Sequence, residues 1–125
     1  MIQLQYVGHA SWLIFNDQIR ILCDPWLNPH GVFFSSWFQF PANDHLDLND
    51  LKQVDLIYLS HTHEDHFDPW FLDQVDKSIP ILAARFDSSD LRSRVAELGF
   101  EQMIELDEEE VHSVGGFDCR IYKDE

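Results

Sequence analysis

Basic residues are scarce in this chain: eight Lys and Arg stand against 23 Asp and Glu, giving a formal net charge of −15. Nonspecific affinity for nucleic acid comes from Lys and Arg neutralising phosphates, so no nucleic-acid partner is expected. Cysteine is limited to Cys23 and Cys119, far apart and in no CxxC pair. That argues against a disulfide framework or a thiolate zinc site and fits a reducing cytoplasm. Long apolar runs are missing as well. The first fifteen residues lack a basic region followed by an apolar stretch, and nothing later approaches the roughly 20 apolar residues that span a bilayer. The expectation is a soluble, cytoplasmic protein with no export signal and no membrane partner. With no internal repeat and no low-complexity linker, 125 residues of 45% hydrophobic composition suit a single domain over 1–125. The carboxylates of Asp107-Glu108-Glu109-Glu110 and of the Asp47 to Asp55 region read as solvated surface.

What is present is a regular series of short elements. Ile2 to Val7, Ser11 to Phe15 and Ile19 to Cys23 are rich in β-forming residues and are separated by Gly8-His9-Ala10 and Asn16-Asp17-Gln18, the pattern of consecutive antiparallel strands. Pro25, Asn28, Pro29 and Gly31 then break any regular structure, and a long loop is expected through Pro41, crowded with Phe33, Phe34, Trp37, Phe38 and Phe40. Such a loop is either a lid or pocket wall, or a cover packed over the core edge. Asp47 caps a short helix through Lys52, and Val54 to Leu59 is apolar and short enough for a buried strand. Pro69 suits the first turn of a helix to Val75, Ile79 to Ala84 reads as another buried strand, and Ser88 to Leu98 as a helix closed by Gly99. Met103 to Leu106 and Phe117 to Tyr122 are further strand candidates. From residue 47 onward strands alternate with helices, an α/β arrangement with a mixed sheet.

The chemistry is concentrated in His61-Thr62-His63-Glu64-Asp65-His66, directly after the predicted strand ending at Leu59. Three imidazoles and two carboxylates within six residues offer nitrogen and oxygen donors suited to zinc, manganese or iron. On a loop leaving a strand, His61 and His63 can converge on one ion while Asp65 and His66 turn toward a second position. A polar loop of surface histidines is the bland alternative, which the density of ligand-type residues disfavours.

The run from His61 to His66, preceded by Asp55-Leu56-Ile57-Tyr58-Leu59-Ser60, resembles the HxHxDH motif of the metallo-β-lactamase superfamily. The resemblance implies an αββα sandwich, of which this chain would be the N-terminal portion. It also implies a two-zinc site, with His61 and His63 on one ion and Asp65 and His66 on the other. Cys23-Asp24-Pro25-Trp26-Leu27 is similar to the family's early strand-end aspartate, which makes Asp24 the carboxylate that orients a ligating histidine, although Asp before Pro also begins ordinary turns. Gly8-His9-Ala10-Ser11-Trp12-Leu13-Ile14 followed by Asp24-Pro25-Trp26-Leu27 looks most like the branch of ascorbate-phosphate lactonases and CMP-N-acetylneuraminate hydroxylase. There His9 either lines the site or is a turn histidine bonded to backbone.

The family completes its site with a third histidine, a bridging aspartate and a final histidine, and no residue here matches them. His112 reads as a surface residue in an acidic turn, and Asp118 and Asp124 are unconvincing as the bridge. The chain is therefore expected to be an incomplete half, by itself short of hydrolase activity. It would require its C-terminal half or a second copy to cover an apolar sheet face. The function implied by the resemblance is metal-dependent hydrolysis of a small-molecule ester, lactone or phosphoester, with Asp65 both ligand and orienter of the attacking water. The alternatives are a diiron oxygenase, for which the chain carries no Rieske-type Cys/His pattern of its own, and a metal-binding module without catalysis.

Overall fold

A computed structural model describes residues 1–123. Six strands form one sheet whose spatial order is the order of the sequence: β1 (Gln3–Gly8), β2 (Ser11–Phe15), β3 (Arg20–Cys23), β4 (Leu56–Tyr58), β5 (Ile81–Ala84) and β6 (Met103–Leu106). The first three pair antiparallel through tight turns, and β3 to β6 run parallel because each connection crosses over through a helix or loop. The helices are α1 (Leu48–Leu51), α2 (Pro69–Leu72) and α3 (Asp90–Glu97). A separate hairpin, β7 (His112–Val114) with β8 (Phe117–Cys119), ends the described chain.

The helix boundaries follow from local chemistry. Asp47 caps α1 by accepting from Asn49 N, and Asp68 caps α2 immediately before Pro69, whose missing N–H costs nothing at the first helical position. Gly99, at φ +95°, turns the chain out of α3 in a conformation that a side chain would strain. α1 ends at its C-cap Lys52 as the sequence suggested, whereas α2 is shorter, stopping at Leu72 rather than Val75.

Alternation along the strands sorts the core into two layers. Leu13, Leu22, Ile57, Ile81 and Ala83 face the helical side, where they pack with Phe67, Phe71, Leu72, Leu91 and Val95. Ile21, Leu56, Leu82, Ala84 and Leu106 face the other way, against Phe117 and Ile121. The parallel strands are thus apolar throughout because both faces are covered. The expectation of one bare face holds for only part of the sheet: the β7–β8 hairpin and the tail to Tyr122 lie over β3 to β6 and leave a cavity of about 490 Å³ lined by Ile14, Ile21, Cys23, Tyr58 and Ile121 among others. At the β1–β2 end, Leu4, Tyr6 and Trp12 share that face and remain 63%, 43% and 40% exposed.

The segment between β3 and α1 is irregular, as expected. Val32 and Trp37 form an isolated bridge, Phe33 packs edge-on against Trp37, and Phe34 and Phe40 project into solvent. Of the two readings of this loop, packing beneath it is excluded for Phe34 and Phe40.

Candidate metal centre

The site lies at the carboxyl ends of β3 and β4, where adjacent parallel strands deliver their next residues side by side. Asp24 follows β3 with φ +41°, a left-handed conformation that Asp tolerates better than most residues, and its N–H donates to the Tyr58 carbonyl at 2.9 Å. The Asp24 side chain is buried at 5% exposure. Its Oδ1 accepts from Ser60 N at 2.8 Å, and its Oδ2 accepts from Ser60 Oγ at 2.5 Å and lies 2.8 Å from His66 Nδ1. Asp24, expected from the sequence to orient a ligating histidine, lies against His66 here.

The motif itself is folded by one tight turn. His63 O accepts from His66 N at 2.9 Å and from Phe67 N at 2.8 Å, which swings His66 back over His61. The rings of His61 and His66 are 4.2 Å apart and those of His61 and His63 are 4.7 Å apart. Asp65, 7% exposed, points inward: its Oδ2 lies 2.8 Å from His9 Nε2 and 3.4 Å from His66 Nε2. His9 sits in the β1–β2 turn at φ +54°, its carbonyl held by Tyr6 Oη at 2.8 Å and its ring edge-on to Trp26. His9 therefore faces the site. His9, Asp65 and His66 each bring one ligand atom within 4.8 Å of the others, the geometry of a metal-holding group. His61 and His63 flank this group through ring contacts.

Electrostatics favour ligand-ready protonation states. Burial, followed by the neighbouring His66 and His63, pushes the His61 pKa down and keeps the ring neutral. Burial works against ionisation of Asp65, but the His9 hydrogen bond, its own backbone bond and the nearby His66 together hold its carboxyl below the usual range.

Three contributors escaped the sequence reading, and a fourth, Glu64, was counted there among the donors but has another part. Ser60 joins Asp24 to His61, its Oγ lying 2.7 Å from His61 Nδ1. Glu64 turns away from the donor group, and its Oε2 accepts from Phe33 N at 2.8 Å, tying the aromatic loop to the motif. Asp68 accepts from Leu27 N at 2.8 Å and Asn28 N at 2.9 Å as well as capping α2. Arg94 reaches from α3 to the Thr62 carbonyl at 3.2 Å while stacking over Phe67. Only Asp68 carried a readable signal, as an Asp directly before a helix-starting Pro. His112 is corrected: it opens strand β7, paired with Cys119 and half-buried, because the acidic turn ends before it. Asp118 is on β8 and accepts from Ser113 Oγ at 2.6 Å, and Asp124 lies outside the described residues.

Comparison with known proteins bears on the family and the fold. The family model described as Beta-lactamase superfamily domain matches residues 3–124. A Mycolicibacterium smegmatis protein named as a Rieske 2Fe-2S iron-sulfur protein is 44% identical over 115 residues, covering 91% of this chain and 22% of that protein. The cytidine monophosphate-N-acetylneuraminic acid hydroxylase of Danio rerio is 33% identical over 81 residues, 63% of this chain and 13% of its own length. Among solved structures, a protein from Veillonella parvula described as a possible metal-dependent hydrolase superposes with a TM-score of 0.75 at 24% identity, covering 96% of this chain and 47% of that one. CmlA, a diiron β-hydroxylase from Streptomyces venezuelae, superposes with a TM-score of 0.60 at 24% identity over 91% of this chain and 22% of its own. The chain thus spans about a fifth of the length of the Mycolicibacterium protein and about half of the Veillonella structure. With the family model covering nearly all residues, the chain belongs to the β-lactamase superfamily and has its mixed α/β fold.

Proposed function

We propose that this chain contributes the motif half of a two-metal active site in a hydrolase acting on a small-molecule ester, lactone or phosphoester. The observation that supports this best is the facing of His66 Nε2 and Asp65 Oδ2 at 3.4 Å. With His66 Nδ1 engaged by Asp24, the ring's other nitrogen is the one that faces the Asp65 carboxylate, so a cation would find a nitrogen and an oxygen donor side by side there. The nitrogen and oxygen donors suit zinc, with manganese or iron as alternatives. His61, His63, Asp65 and His66 would hold the ions, and His9 adds a further donor. When bound, such ions supply Lewis acidity and lower the pKa of water. The chain's own part would be orientation: Asp65 would offer one oxygen to an ion and the other to align the attacking water.

A diiron oxygenase is the second reading, supported by the 44% identity to the protein named for a Rieske cluster and by the likeness to CmlA. The exposed Leu4, Tyr6 and Trp12 face fits cover by a C-terminal half or a second copy, and the two free cysteines fit a cytoplasmic setting.

Elemental analysis of protein purified without chelators tests the site and separates the readings. Zinc in excess over iron is expected for the hydrolase, iron for the oxygenase. His61→Ala combined with His63→Ala should remove most of the metal, and unchanged content would refute the ligand assignment.

A further inference from the structure

We infer that Ser60 is a positioning residue which extends the hold of a single carboxylate, Asp24, from His66 to His61, so that both rings present Nε2 to the metal position. This deepens the metal-centre reading and rests on it. Ser60 Oγ donates to Asp24 Oδ2 at 2.5 Å, and this contact takes the one hydroxyl proton of Ser60. The remaining contact of that oxygen, 2.7 Å to His61 Nδ1, must then be filled by a proton on Nδ1. The reverse polarity would set a hydroxyl lone pair against a carboxylate oxygen at 2.5 Å. His66 Nδ1 is fixed as a donor by the same Oδ2 at 2.8 Å. The Ser60 backbone N–H, donating to Oδ1 at 2.8 Å, keeps the hydroxyl from swinging away.

One buried carboxylate therefore sets the tautomer of two motif histidines, directly for His66 and through Ser60 for His61. Their ring centroids lie 4.2 Å apart with the planes tilted by 40°, so the two rings are held as neighbours. His63 receives no such support from Asp24 or Ser60. Ligating histidines are commonly oriented one at a time by a partner on the second nitrogen; here the two share one.

Histidine tautomers in the metal-free protein, read from long-range proton–nitrogen correlation spectra near neutral pH, test the idea without metal or substrate. Wild type should show His61 and His66 both protonated on Nδ1. In Ser60→Ala, His61 should shift toward Nε2–H while His66 stays, and zinc affinity should fall about 10-fold. Ser60→Thr should restore both, and Asp24→Asn should disturb both rings. The inference is overturned if His61 in wild type carries its proton on Nε2, which needs no variant to fold, or if Ser60→Ala leaves the His61 tautomer unchanged. Failure of the hydrolase reading would show in metal identity or turnover and would leave these spectra as they are.

Discussion

Replacing Asp68 with alanine should be among the most damaging single changes outside the apolar core, although Asp68 is not one of the proposed ligands. Its carboxylate, 2% exposed, accepts from three backbone N–H groups: Leu27 and Asn28 in the loop after β3, and Phe71 in the first turn of α2. Loss of a helix cap costs about 0.5–2 kcal/mol. Each buried donor left without a partner costs about 1–3 kcal/mol. Allowing for non-additivity, Asp68→Ala should lose roughly 3–6 kcal/mol, against a total of about 5–15 kcal/mol for an ordinary domain. For a chain of this size that is a fall in melting temperature on the order of 10–25 °C, measurable by circular dichroism. Asp68→Asn should lose less, since it keeps one acceptor oxygen. Burial raises the Asp68 carboxyl above its ordinary pKa in spite of the backbone donors. A carboxyl with a raised folded-state pKa binds its proton more tightly when folded, so its contribution to stability declines as pH rises from the unfolded to the folded pKa. The neutral Asn has no such dependence. Its penalty relative to wild type should therefore be larger near pH 4 than near pH 7, as urea melts at about those two values can show. A fall of less than about 4 °C for Asp68→Ala, or an Asn penalty that grows toward neutral pH, would refute the reasoning.

Phe71→Ala, deep beneath the helical face at 0% exposure, should destabilise by about 3–5 kcal/mol in denaturant melts, because a large cavity opens under the motif loop. Cys23 should resist alkylation: burial, with Asp24 and Cys119 nearby, pushes its thiol up to about 12, so its thiolate fraction is about 1000-fold below that of a thiol at 9.0, and iodoacetamide labelling at mildly alkaline pH should become fast only after unfolding. Glu64→Ala removes only the acceptor for Phe33 N, so the melting temperature should move by little more than about 2 °C while limited proteolysis within residues 31–41 accelerates; equal cleavage in both proteins would show that the latch has no effect.

Much of the fold was legible in the sequence because the elements are short and sharply punctuated. Asp47, Pro69 and Gly99 mark helix ends through the chemistry of their own backbone positions, and the apolar runs around Ile57 and Ile81 could only be strands of a covered sheet. The motif was legible for a similar reason: its density of donors survives without coordinates. What stayed hidden depends on contacts across the fold. His9 and Asp65 are 56 residues apart and meet only because the β1–β2 turn and the β4 loop open onto the same end of the sheet. Asp24 could be suspected, but not its reach through Ser60 to His61, since a serine hydroxyl has no signature beyond its neighbours. The placement of the β7–β8 hairpin over Ile21, Leu82 and Leu106 was invisible for a further reason: Phe117 and Ile121 look alike whether they cap this sheet or begin another.

The sheet's strand order has a consequence for how the chain assembles. Since β1 to β6 lie in space as they lie in sequence, each strand docks onto one already in place, and none has to wait for a later segment to wedge between its neighbours. During synthesis, β3 can present Asp24 before β4 emerges, and the arrival of β4 closes the shelf on which the histidines settle. Assembly of this kind closes one connection at a time, so the end of the sheet that carries the histidine motif takes shape on the ribosome as β4 emerges.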